Sequence, residues 1–96
     1  MKSGANTKDL YKAILSLKTG AEAQKFFRDL LTEAEIDEFS NRWKVARMLV
    51  NKEPYEAITR ETGMSSTTIA RISKWLNNGM GGYKLVIKRL KMRDER

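Results

Sequence analysis

Between Ala57 and Ile72 the chain reads Ala-Ile-Thr-Arg-Glu-Thr-Gly-Met-Ser-Ser-Thr-Thr-Ile-Ala-Arg-Ile, and this stretch constrains the fold more than any other. Gly63 stands where a first short helix must stop and reverse, because glycine adopts the left-handed conformation without a Cβ penalty. Ser65 is placed to cap a second helix. Ile58 anchors the first helix, Met64 plugs the gap at the turn, and Ile69 and Ile72, three residues apart, bury one face of the second helix. Spacing and residue type together describe a helix-turn-helix over about residues 55–77.

The rest of the chain supplies helices to hold that unit. Leu10, Ile14 and Leu17, joined by Tyr11 and Leu15, recur at helical spacing after Thr7, and Lys18 with Gly20 is read as the end of that helix. Ala21 to Leu31 carries a broad stripe of Ala23, Phe26, Phe27, Leu30 and Leu31. Thr32-x-x-Glu35 is a capping box, so a third helix runs from Glu33 to about Asn51 with Ile36, Phe39, Trp43, Ala46 and Val50 on one face. Pro54 fits the first turn of a short helix from Tyr55 to Thr62. The second motif helix extends to about Asn77. Asn77 to Gly82 is a loop by composition, and Tyr83 to Met92 is a last helix. No segment alternates with period two, so no strand is expected. The reading is all-α: a loose N-terminus over 1–6, one helical domain over 7–92, and a charged tail over 93–96.

The outward face of the second motif helix then carries Ser66, Thr67, Ala70, Arg71 and Lys74. Small and hydroxyl-bearing residues let a helix approach base edges in a major groove. The hydroxyls of Ser65 and Thr68 and the helix N-terminus suit phosphate. Arg60 and Lys74 are the phosphate-contact candidates, and Ser66, Thr67 and Ala70 the base-reading ones. Arg71 serves either the groove or a pocket.

Charge points the same way. Residues 1–40 hold six Lys/Arg and seven Asp/Glu, a balance of −1, whereas residues 41–96 hold 13 and five, a balance of +8. So lopsided a distribution fits a polyanion, and double-stranded DNA in particular once the motif is considered. Other functions fall away. With no Cys and no His there is no thiolate nucleophile, no Cys or His metal site and no imidazole base, and neither metal nor cofactor is expected. Paired carboxylates such as Glu33 with Glu35, or Asp37 with Glu38, sit at a helix start where the dipole accounts for them. Gly79 to Gly82 lacks the strand and the Lys-Ser/Thr of a phosphate loop. No apolar run reaches membrane-span length and no signal-peptide core follows Met1, so the expected location is cytoplasmic. A domain of 96 residues buries about 60–65% of its unfolded surface and gains from pairing with a second copy.

From about Leu10 to Leu90 the chain resembles the Trp repressor superfamily, most closely its YerC/YecD branch. The resemblance is carried by Leu30-Leu31-Thr32-x-x-Glu35, by Arg42-Trp43-x-Val45, by the helix-turn-helix ending in Thr68-Ile69-Ala70-Arg71, and by Gly-Gly-Tyr-Lys-Leu at Gly81–Leu85. It implies six helices, an intertwined homodimer in which the N-terminal helices pack around the partner, and transcriptional regulation, repression by default. In the tryptophan-binding member two arginines sandwich the co-repressor's indole and a threonine region holds its amino group. Arg42, Arg71 and Thr32 fall at those positions. Ile72 replaces a glycine and Trp75 a serine, both of which narrow the pocket, so tryptophan binding is not carried over. Trp75 is read either as packing on Arg71, four residues before it, or as a core residue, and Arg42 as either a ligand group or an ion-paired surface arginine. The competing function is an all-helical protein-interaction module whose helix-turn-helix does not engage DNA.

Overall fold

The computed structural model describes residues 3–94, with side chains over 4–93. Six helices follow in order: α1 (Ser3–Leu15), α2 (Gly20–Leu30), α3 (Glu33–Val50), α4 (Tyr55–Thr62), α5 (Ser66–Asn78) and α6 (Gly82–Asp94). Among the described residues there is no strand. The chain forms two compact units, one reaching to Ile36 and the other starting at Asp37.

The N-terminal unit is built by caps rather than by a core. α1 starts at Ser3 instead of Thr7, so residues 4–6, expected to be loose, are helical; Met1 and Lys2 lie outside the described residues. The helix ends at Leu15, where the Ser16 hydroxyl donates to the Ala13 carbonyl at 2.6 Å. Gly20 opens α2 rather than closing α1. The reason is a cap the sequence reading passed over: Thr19 Oγ1 accepts the Glu22 N–H at 3.1 Å while Glu22 Oε1 accepts the Lys18 N–H at 2.9 Å. Thr32 and Glu35 form the anticipated reciprocal box, at 3.1 and 2.9 Å. Phe26 and Phe27 meet edge to face at 5.5 Å, yet no described residue of this unit is buried. Leu10, Tyr11, Leu15 and Leu30 are exposed, Leu15 to 82%. Ile14, Leu17, Phe26 and Phe27 are half-buried, so the apolar stripes legible in α1 and α2 are only partly covered within this unit.

The C-terminal unit holds the whole core. Val45, Ala46 and Met48 of α3, Ile58 of α4, Met64 of the turn and Ile69 and Ile72 of α5 form one buried cluster, with Leu49 and Tyr83 packed against it. Leu76 is also buried, and no described polar side chain is. The stripe expected along α3 is divided, since Ala46 is buried while Phe39 and Val50 are exposed. Trp43 and Tyr83 stack with centroids 6.3 Å apart. Pro54 is the cap preceding α4, not a residue of its first turn, and its carbonyl accepts the Ala57 and Ile58 N–H groups. Its lost donor costs nothing in either position. α6 extends past the expected Met92 to Asp94; the remainder of the expected tail, Glu95 and Arg96, lies outside the described residues.

Candidate nucleic-acid interface

The turn between α4 and α5 has the anticipated geometry. Gly63 lies in the left-handed region at φ 73°, and its N–H closes α4 on the Thr59 carbonyl at 2.8 Å. Thr62 reinforces the turn: its hydroxyl donates to the Ile58 carbonyl at 2.7 Å and accepts the Met64 N–H at 3.2 Å. Ser65 caps α5, its Oγ accepting the Thr68 N–H at 3.2 Å and lying 3.1 Å from Thr68 Oγ1. Thr68 is thus committed to the cap and half-buried, whereas Ser65 remains exposed.

Three turns of α5 sort cleanly into two faces. Ile69, Ile72 and Leu76 point into the core. Ser66, Thr67, Ala70, Arg71 and Lys74 are all exposed, as is Arg60 on α4. The rotation follows from the 3.6-residue repeat: fixing Ile69 and Ile72 inside forces Thr67, Ala70, Arg71 and Lys74 outside. The face is polar, small at its N-terminal end and cationic further along. Neither Arg71 nor Lys74 is paired with a carboxylate among the described residues, where the ion pairs are Arg28–Glu33 and Arg42–Glu38. Between Glu61 and Asp94 the chain has seven Lys/Arg and no Asp/Glu. Nothing within this stretch can neutralise the field of its own cations.

Thr32, Arg42, Ile72 and Trp75, read as part of an effector pocket, each have contacts of their own. Arg42 donates from Nε to Glu38 Oε2 at 3.2 Å and lies 5.6 Å from the Phe39 ring centre. Ile72 is fully buried in the core cluster. Thr32 belongs to the N-terminal unit, with its hydroxyl engaged by Glu35. Trp75 departs from both readings made of it. It is 44% exposed and so not a core residue, and the arginine–ring contacts among the described residues are Arg42 on Phe39 and Arg47 on Trp43, not Arg71 on Trp75. Its indole instead lines an open apolar cavity of about 590 Å³ with Trp43, Met80, Tyr83 and Val86. The cause is helical register: Trp75 falls beside the Ile72–Leu76 stripe, on the side facing the 79–82 loop. Sequence reasoning did not find this cavity, because the Trp43–Tyr83 stack that forms its wall joins residues forty positions apart.

Comparison with known proteins agrees with this architecture. Residues 5–91 match the family described as Trp repressor protein. The Bacillus subtilis protein YerC, itself uncharacterised, is 41% identical over 88 residues, covering 92% of this chain and 85% of its own. A TrpR-like protein from Eubacterium eligens superposes with a TM-score of 0.88 at 43% identity, over 92% of this chain and 91% of the other. A candidate Trp repressor from Staphylococcus aureus gives 0.86 at 36% identity, over 91% and 87%. With its six helices, its Gly63 turn and this match along nearly its whole length, the chain belongs to the Trp repressor family.

Proposed function

We propose that the protein is a sequence-specific DNA-binding regulator of transcription, acting as a repressor and as a homodimer. One observation carries the reading: α5 keeps Ser66, Thr67, Ala70, Arg71 and Lys74 exposed on the face opposite its buried isoleucines. A helix so presented enters a major groove with its N-terminal residues at base edges, and the Ser65 cap and Arg60 supply phosphate contacts. The family's regulatory character supports the same conclusion. The dimer is supported by the N-terminal unit, whose exposed Leu10, Tyr11, Leu15 and Leu30 gain an interior from a second copy. Two α5 helices spaced about 34 Å apart then address successive major grooves of a palindromic site.

Selection of bound fragments from a random duplex pool, followed by fluorescence anisotropy at low salt, tests the reading. The expected result is a palindromic consensus bound by a dimer, with Thr67→Ala and Ala70→Leu altering base preference. Absence of binding to any duplex overturns it, and recovery of a protein partner in its place would favour the interaction-module alternative. No tryptophan requirement is proposed. Ile72 is a buried branched side chain of the core and Trp75 lines an apolar cavity, which does not support a polar indole-clamping site around Arg71. Titration calorimetry with free tryptophan is expected to show no micromolar binding.

A further inference from the structure

The cations of α6 are a surface the proposed reading has not used. Lys84, Lys88 and Lys91 stand four and three residues apart and are all exposed. At 100° per residue they fall on one narrow stripe of the helix, bordered by Ile87 and turned away from Tyr83, Val86 and Leu90. An ordinary solvated helix face mixes signs and pairs lysine with glutamate one turn away. α6 has no acid before Asp94, and no carboxylate among the described residues pairs with any of the three lysines. The contrast lies within this chain, for Arg28 and Arg42 each have a glutamate. Three like charges one turn apart weaken a helix by mutual repulsion. A polyanion laid along the stripe removes that repulsion.

We infer that Lys84, Lys88 and Lys91 form a second phosphate-tracking surface, which engages the DNA backbone outside the bases read by α5. This inference rests on the DNA-binding reading above. Seven residues of helix rise about 10 Å, and long lysine side chains widen that reach. About three base pairs of duplex occupy the same length at 3.4 Å per step, so three lysines match a short run of phosphates. Contacts of this kind add affinity and salt dependence without adding sequence preference.

The test compares the salt dependence of duplex binding for the wild type, for the triple variant Lys84→Gln/Lys88→Gln/Lys91→Gln, and for Lys12→Gln/Lys18→Gln/Lys25→Gln, which removes equal charge from α1, α2 and the turn between them. Circular dichroism checks that each is folded. Each lost phosphate contact lowers the slope of log K against log salt by about 0.9, so the α6 variant is expected to lose about 2.7 of slope. Between 50 and 200 mM salt its binding then weakens about 40-fold less than the wild type's does. The consensus sequence is expected to be unchanged, the Lys12/Lys18/Lys25 variant to keep the wild-type slope, and Lys84→Arg/Lys88→Arg/Lys91→Arg to restore it. A wild-type slope in the α6 glutamine variant overturns the inference while leaving DNA recognition by α5 intact. An equal loss of slope in both glutamine variants also overturns it, since net charge alone would then suffice. A wild-type protein that binds no duplex removes the parent reading and this one with it.

Discussion

At Gly63 the backbone sits at φ 73°, and a Cβ added there would meet nothing within 4 Å. The restriction is therefore conformational, not one of space. Gly63→Ala is expected to lower stability by about 1–2 kcal/mol, the cost of holding an L-residue in the left-handed region, measured by urea unfolding. Gly79 is the opposite case, since a Cβ there would run into the backbone carbonyl of Trp75. Gly79→Ala is expected to disturb the end of α5 and, with it, the cavity beside Trp75. The two faces of α5 make the sharpest contrast. Ile72→Ala empties a fully buried site and is expected to cost about 2–5 kcal/mol of stability. Thr67→Ala changes an exposed residue of the same helix and is expected to stay within about 0.5 kcal/mol while weakening DNA binding. Denaturation and anisotropy on this pair separate the residues that hold α5 from those that read with it.

Within the motif α5 starts on a side-chain cap, whereas α4 starts after Pro54 without one. Removing the Ser65 acceptor as Ser65→Ala leaves the Thr68 N–H without its partner and is expected to cost about 1 kcal/mol, read from the unfolding midpoint. Caps also decided how much of the fold the sequence disclosed. α4 and α5 were legible nearly to the residue, because Gly63 and Ser65 are chemically unambiguous and Ile58, Ile69 and Ile72 keep a regular repeat. The box at Thr32 and Glu35 placed the start of α3 equally well. The α1–α2 junction was misread because Gly20 was taken as a terminator, although Thr19-x-x-Glu22 is itself a capping signature. In the candidate interface, the outward set on α5 followed directly from the inward one. The surroundings of Trp75 did not, for they depend on how α3 and α6 meet, and a local repeat carries no information about that. The lysine stripe of α6 was present in the sequence as a run without acids, but total charge obscures it until the helix register is known.

Burial is uneven along the chain: the fully buried cluster lies beyond Asp37, and the described residues before it are at most half-buried. If the exposed stripes of α1 and α2 are covered by a second copy, folding and pairing are linked. The unfolding midpoint is then expected to rise with protein concentration by mass action, and light scattering is expected to give twice the chain mass. A midpoint independent of concentration, with a single-chain mass, would count against the dimer. The same asymmetry bears on how the protein is made. The N-terminal helices leave the ribosome first, yet they are the portion with no fully buried described residue. The C-terminal unit carries all of its own core once α6 has emerged; if a second copy covers the earlier helices, the segment made first is the last to be finished, and the yield of finished protein then depends on how many sister chains are being made nearby.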